Sequence, residues 1–176
     1  MNKALLAAVV AVSATAGAAH AAAPVLHETK TMDIGAVPAK VWAVIENFGD
    51  MTWVPPVKAS TATMGNTPGS VRTLDLGGPK LVEQLKTYDA ASMTYTYVIT
   101  PDPANVKVLP VTDYTSTITV KPSGMGSLVT WTGAFKRADP GGAPSATMDD
   151  KAATGAIGGV YDAGLSGLKA KVAGAS

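Results

Sequence analysis

The most constraining feature of this sequence is a long stretch, residues 57–140, in which apolar and polar residues alternate and turn-forming residues recur at short intervals. Alternation with period two is typical of strands that bury one face, and clusters of Gly, Pro, Asn and Asp between them are typical of turns. Six strands are predicted, at residues 57–64, 70–76, 80–88, 92–100, 111–121 and 127–137. We therefore expect a run of antiparallel strands with one dry and one wet face.

The segments on either side of this stretch complete the predicted fold. Residues 27–34 alternate as a further strand, and Pro38 begins a short amphipathic helix that ends at Gly49, with room for a second short helix before Pro55. Residues 147–172 carry an apolar helical stripe, opened by Thr147 and Asp150 as a weak capping box. The elements predict an α+β domain, in which a curved antiparallel sheet of about seven strands wraps a long C-terminal helix.

The C-terminal helix is predicted despite several glycines, each of which costs up to about 1 kcal/mol relative to Ala in a helix interior. Something must offset that cost. The glycines either allow close approach to the sheet or leave empty volume beside the helix.

The N-terminus predicts export. Lys3 precedes an apolar run at residues 4–12, and Ala19-His20-Ala21 has the small-x-small pattern of a cleavage site. A short membrane anchor is the alternative, but the run is well below the roughly 20 residues that span a bilayer. We expect residues 1–21 to be a secretory signal peptide and residues 22–176 to form one periplasmic or secreted domain with no membrane span.

The composition excludes several kinds of function. The 176 residues include 14 basic and 13 acidic side chains, so no overall positive charge favours nucleic acid. There is no Cys, and removal of residues 1–21 would leave His27 as the single imidazole. A cysteine- or histidine-rich metal site and a Ser-His-Asp triad are therefore not expected, and no cofactor is predicted.

Five segments together resemble the helix-grip (SRPBCC) superfamily of START-like lipid-transfer proteins, polyketide cyclase/dehydrase-like proteins, Bet v 1-like allergens and abscisic-acid receptors. They are VWAVIENFGD (41–50, with Trp53 and Pro55), GSVR (69–72), EQL (83–85, with Asp89), YTS (114–116) and VTW (129–131). The chain also resembles MxaD-like periplasmic proteins associated with methanol oxidation. The resemblance implies an apolar ligand between the sheet and the last helix, and it implies catalysis only weakly, because this fold hosts carriers, receptors and enzymes.

A charged pair is predicted on the dry face of the sheet. If a turn at Gly77, Gly78 and Pro79 closes a hairpin with Leu74 near Glu83, then Arg72 and Glu83 form a diagonal pair in an apolar surface. One interpretation is an ion pair on the pocket floor that orients a carbonyl, carboxylate or hydroxyl of a ligand. The others are a structural salt bridge and a register error that places both groups in water.

Aromatic residues are expected to form the walls of the same interior, although each could equally be ordinary core. The predicted ligand-binding residues are Arg72, Leu74, Glu83, Tyr95, Tyr97, Tyr114, Trp131 and Tyr161. In related receptors a mobile gate lies where this chain has Gly77, Gly78 and Pro79, which could equally be an ordinary turn.

Three functions remain open at this point. The first is an exported module that binds or carries a small apolar or amphipathic molecule, or that docks to a periplasmic protein such as a dehydrogenase. The second is a cyclase- or dehydrase-like enzyme with Glu83 as base and Tyr114 or Arg72 stabilising an enolate. The third is an interaction module whose cavity has collapsed.

Overall fold

The fold consists of seven strands and three helices in a computed structural model that describes residues 22–174. The strands are β1 Leu26–Ile34, β2 Ala59–Ala62, β3 Val71–Asp75, β4 Lys80–Asp89, β5 Thr94–Ile99, β6 Val111–Ser123 and β7 Gly126–Arg137. The helices are α1 Pro38–Ile45, α2 Pro103–Val106 and α3 Asp150–Gly174. The predicted signal peptide, residues 1–21, lies outside the described residues.

All strand pairs in the sheet are antiparallel, and the strand order is β1-β7-β6-β5-β4-β3-β2. Helix α3 packs mainly on β1 and β7, and the inward side chains of the sheet are buried beneath it. The predicted α+β class, a curved seven-stranded sheet with a long C-terminal helix, is confirmed. The sequence left room for a second short helix after β1, but in the described part of the chain only α1 lies between β1 and β2. Residues 51–57 instead form successive turns, because Pro55 and Pro56 have no backbone N–H to donate within a helix.

Two local predictions are wrong. Residues 103–106 form the short helix α2 where only a turn was expected, because the carboxylate of Asp102 accepts a hydrogen bond from Ala104 N at 2.8 Å and caps it. The cap of α3 is Asp149 and not Thr147, since Asp149 Oδ1 accepts from Ala152 N at 2.7 Å.

Two glycines of α3 lie in close contact with other parts of the protein, and two others face open space. A Cβ on Gly164 would lie 2.5 Å from Cζ3 of Trp131, and one on Gly167 would overlap the carbonyl oxygen of Trp53. By contrast, a Cβ on Gly155 or Gly159 would meet nothing within 4 Å. Close packing of α3 on the sheet and on the loop after α1 therefore explains the glycines at positions 164 and 167.

Candidate functional site

The β3–β4 hairpin positions the charged pair. Arg72 lies directly opposite Glu83, and Leu74 lies opposite Leu81. The predicted register, with Leu74 near Glu83, is wrong by two residues, because the turn takes in Leu76 as well as the residues at 77–79, and Leu76 N donates to Pro79 O at 3.0 Å. A shift of two residues keeps every side chain on its face, so both charges still point to the apolar side.

Arg72 is sealed inside the protein. Its Nε donates to Glu83 Oε2 at 2.6 Å, and its Nη1 donates to the carbonyl oxygen of Phe48 at 3.0 Å. The guanidinium carbon lies 4.2 Å from the ring centroid of Phe48 and 4.7 Å from that of Tyr97. Burial is the largest single effect and opposes the charge, but the attraction of Glu83, the hydrogen bond to it and the interactions with Tyr95 and Tyr97 together raise the pKa of Arg72 above its ordinary value. Arg72 therefore stays charged.

Glu83 is also buried, but one of its oxygens remains reachable. Burial raises the pKa of its carboxyl above the ordinary 4.5, against the opposing effect of Arg72. Its Oε2 is taken by Arg72, whereas its Oε1 has no hydrogen-bond partner among the described residues. Within that part of the chain, the fully enclosed side-chain atoms without a partner are Ser60 Oγ and Arg72 Nη2, so Oε1 is not enclosed.

The space that Glu83 reaches is a cavity of about 220 Å³ between the sheet, α3 and two loops, which we call the sheet–helix pocket. Among the described residues, Glu83 is the one charged residue that lines it. The lining residues are Met51, Val54, Pro56, Val57, Leu74, Leu76, Leu81, Glu83, Tyr97, Val108, Leu109, Tyr114, Trp131 and Val160.

The predicted site residues separate into two groups. Leu74, Glu83, Tyr97, Tyr114 and Trp131 line the pocket. Arg72, Tyr95 and Tyr161 do not, and the guanidinium of Arg72 does not face the hollow as predicted, because it is fully buried and bonded to Glu83 and to the carbonyl oxygen of Phe48.

Tyr95 and Tyr161 fill neighbouring parts of the core. Tyr95 packs among Trp42, Phe48 and Tyr88, with ring centroids 6.1 to 6.4 Å apart. Tyr161 stacks on Trp131 at a centroid distance of 4.5 Å, which places it behind the indole ring.

The predicted gate residues form an exposed turn. Gly77 has φ of 85°, which glycine adopts without strain, and its N donates to Asp75 Oδ1 at 2.8 Å. Leu76, the first residue of the turn, lines the pocket, whereas Gly77, Gly78 and Pro79 do not.

Sequence reasoning missed the loop residues that close the pocket. Val54, Pro56 and Val57 follow α1, and Val108 and Leu109 follow α2. Apolar residues in otherwise turn-forming segments were the available signal, but their sequence positions do not show which wall they cover. Trp53 does not line the pocket and packs on Trp131, with ring centroids 5.5 Å apart.

A chain of hydrogen bonds lies behind the pocket and ends at the carbonyl oxygen of Thr132, next to Ser116. The Oγ of Ser116 donates to that carbonyl oxygen at 2.9 Å, so its hydrogen is used. Ser116 must therefore accept from Tyr161 OH, also at 2.9 Å, and from Trp131 Nε1 at 2.9 Å.

The chain continues through the tyrosines to the pocket wall. Because Tyr161 donates to Ser116, it accepts from Tyr114 OH at 2.9 Å. Tyr114 in turn accepts from Tyr97 OH at 3.4 Å, and Tyr97 also accepts from Trp131 Nε1 at 3.1 Å. Every hydroxyl and indole proton of this chain has an acceptor inside the protein.

A second, open groove of about 670 Å³ lies at the end of β5, beside α2 and the start of β6. Two of its polar side chains are already engaged. Asp102 caps α2, while Asn105 accepts from Val82 N on β4 and donates to the carbonyl oxygen of Thr100. Among residues 22–174, no group of three or more His, Asp or Glu side chains could hold a metal ion. None of the helices described within these residues is long and apolar enough to cross a membrane.

Solved structures show the same architecture. An uncharacterized protein from Bacillus thuringiensis is 31% identical with a TM-score of 0.68, over 84% of this chain and 98% of its own. The protein XoxI from Bacillus cereus is 32% identical with a TM-score of 0.68, over 83% and 94%. Ara h 8.0201 is 16% identical with a TM-score of 0.63, over 86% and 99%, which shows the fold alone.

These similarities, with the long helix packed against the seven-stranded sheet, define a helix-grip protein. The chain belongs to the family described as polyketide cyclase / dehydrase and lipid transport, whose sequence profile matches residues 26–173. The predicted superfamily is confirmed. No curated protein matches the sequence.

Proposed function

We propose that this protein binds a small, largely apolar molecule in the sheet–helix pocket. The observation that carries the proposal is the lining of that pocket, which is apolar and aromatic apart from one reachable carboxylate oxygen on Glu83. Small-molecule sites typically combine apolar walls with a few fixed polar groups. Membership of a family that includes lipid transport supports the same function.

The pocket volume limits the size of the ligand. At about 220 Å³, the pocket lies between a cavity of about 150 Å³ that holds benzene and the roughly 300 Å³ of the smallest drug-sized sites. A single-ring molecule or a short chain fits, whereas a two-chain lipid does not fit without rearrangement of the lining loops.

The test is to recover the bound ligand and then to block its binding with a substitution that fills the pocket. The protein is purified from its native host, denatured and searched by mass spectrometry for a small molecule at near-stoichiometric amounts. Leu81→Trp, which fills the pocket, should abolish that signal, and Met125→Trp, at a residue that is 99% exposed, should leave it intact. An empty wild-type protein that binds no single-ring compound would reject the proposal. A partner protein retained equally by Leu81→Trp would favour the interaction module.

A second candidate is a cyclase- or dehydrase-like enzyme, and the carboxylate in the pocket favours it. Of the described lining residues, Glu83 alone carries a group able to take a proton from carbon, and its raised pKa makes it a stronger base than an ordinary carboxylate. Arg72 does not line the pocket and is withdrawn as an enolate stabiliser. Tyr114 lines the pocket, but its hydroxyl donates to Tyr161 OH at 2.9 Å, so it could stabilise an enolate only by giving up that hydrogen bond. Equal turnover of an aromatic polyketide by wild type and Glu83→Gln would reject this base.

Export is also proposed, and periplasmic or secreted location follows from it. The support is the N-terminal pattern of Lys3, the apolar run at 4–12 and Ala19-His20-Ala21. Such a protein could serve a periplasmic oxidation system as an accessory. Cell fractionation with N-terminal sequencing should find the chain outside the cytoplasm and starting at Ala22. An uncleaved Met1 in a cytoplasmic fraction would contradict export.

A further inference from the structure

We propose that the ligand of the sheet–helix pocket is an uncharged hydrogen-bond donor, an alcohol or a phenol, whose hydroxyl binds Oε1 of Glu83. This inference rests on the proposed function, because it names the chemical class of the molecule in the same pocket.

The first step is that the free polar atom in the pocket is an acceptor. Oε2 of Glu83 receives the Arg72 Nε–H at 2.6 Å, whereas Oε1 has no partner in the described part of the chain and is not enclosed. A carboxylate oxygen accepts hydrogen bonds and donates none. A ligand that leaves this oxygen desolvated without a partner loses binding free energy.

The second step is that, among the residues the structure describes, no unengaged hydrogen-bond donor is as accessible in the pocket as Oε1 of Glu83. The protons of Tyr97, Tyr114 and Trp131 are used within the chain that ends at the carbonyl oxygen of Thr132. Arg72 has one unpaired nitrogen, Nη2, but that atom is fully enclosed. A ketone oxygen therefore finds no donor that is not already engaged.

The third step concerns charge. An anionic ligand would face the carboxylate of Glu83 at close range, since Arg72 lies behind that carboxylate and is sealed from the pocket. Like charges in an apolar surrounding repel strongly. Of the three ligand groups that the sequence left open, namely a carbonyl, a carboxylate and a hydroxyl, the geometry selects the hydroxyl.

The test compares ligands of matched shape on the purified protein. The set is 1-phenylethanol, which donates, acetophenone, which only accepts, ethylbenzene, which is apolar, and benzoate, which is anionic. Dissociation constants are measured by calorimetry, with Trp fluorescence as a second readout. A hydrogen bond to a charged group predicts that 1-phenylethanol binds about tenfold more tightly than acetophenone.

In the Glu83→Gln variant we expect the preference for 1-phenylethanol over acetophenone to be lost or reversed. The amide oxygen of Gln would accept from Arg72 Nε, which turns the NH₂ group toward the pocket as a donor. Acetophenone should then bind at least as tightly as 1-phenylethanol. The matched control is Glu46→Gln, at an exposed position at the end of α1, which should keep the wild-type ranking.

The outcomes separate this inference from the proposed function. If acetophenone or benzoate binds the wild-type protein as tightly as the alcohol, the donor inference is wrong and the binding function stands. If none of the four compounds binds, both fail. The wild-type ranking decides the question even if Glu83→Gln does not fold.

Discussion

Arg72 and Glu83 lie directly opposite each other on β3 and β4, and 2.6 Å separates Nε of the one from Oε2 of the other. The two partners have different surroundings. Arg72 is held among the Phe48 carbonyl and two aromatic rings, whereas Glu83 keeps one oxygen toward the sheet–helix pocket. The pair thus neutralises a buried charge while presenting only an acceptor to a ligand.

Replacement of Arg72 should be costly. Arg72→Met leaves a buried carboxylate without its partner, and we expect a loss of about 3–5 kcal/mol in the free energy of unfolding at pH 7. The double variant Arg72→Met/Glu83→Gln should recover most of it, since no unpaired charge remains. Urea denaturation measures both.

The control for this prediction is an exposed ion pair. Lys136 and Asp113 lie 2.9 Å apart with their side chains 34% and 68% exposed. Lys136→Met should change the free energy of unfolding by less than about 1 kcal/mol. An Arg72→Met protein as stable as the Lys136→Met protein would contradict the role given to the buried pair.

The stability of the protein should fall with rising pH because of Glu83. Burial raises the pKa of Glu83 in the folded protein above its ordinary 4.5. The folded state therefore holds its proton to a higher pH than the unfolded chain does, and stability is lost as pH rises from 4.5 through the raised value. Glu83→Gln cannot titrate, so the free energy of unfolding of wild type minus that of this variant should decline as pH rises.

Urea titrations at a series of pH values above about 4 measure that difference. Glu46→Gln serves as the exposed comparison and should follow wild type through the same range. A difference between wild type and Glu83→Gln that stays constant or grows with pH would show that burial does not govern this carboxyl.

Two glycine substitutions in α3 should act in opposite directions. Gly159→Ala meets nothing within 4 Å, so it should stabilise the protein by about 0.5–1 kcal/mol through helix propensity. Gly167→Ala makes the same change in the same helix but overlaps the Trp53 carbonyl, and we expect a loss of about 1–3 kcal/mol. Thermal and urea unfolding of the pair measure this, and equal effects would disprove close packing at Gly167.

The interior tyrosines should ionise only when the protein unfolds in alkali. Burial raises the pKa of Tyr161 to about 12, and it raises the pKa values of Tyr95, Tyr97 and Tyr114 above 10.0 as well. The folded state keeps these protons longer than the unfolded chain, so stability falls as pH rises above 10.

Absorbance at 295 nm and circular dichroism followed together against pH should show one shared transition for these four side chains. Tyr88 is less buried, and burial and the charge of Glu46 also raise its pKa above 10.0, so it serves as the partly exposed comparison. Full tyrosine ionisation near pH 10 with an unchanged circular dichroism spectrum would contradict the buried hydrogen-bond chain.

The sequence by itself determined the order of the elements and the facing of their side chains. Alternation along β3 and β4 placed Arg72 and Glu83 on the apolar face, and that result survived a register error of two residues, because facing depends on odd or even spacing alone. The apolar stripe of α3 likewise predicted that Tyr161 is buried.

Only the tertiary structure decided which of these groups meets a ligand. The direct pairing of Arg72 with Glu83, the close approach of Gly164 to Trp131, and the loops around Val57 and Leu109 all depend on distances between segments far apart in the chain. Local periodicity carries no information on such distances, because register, close approach and cavity volume are set by how complete surfaces pack.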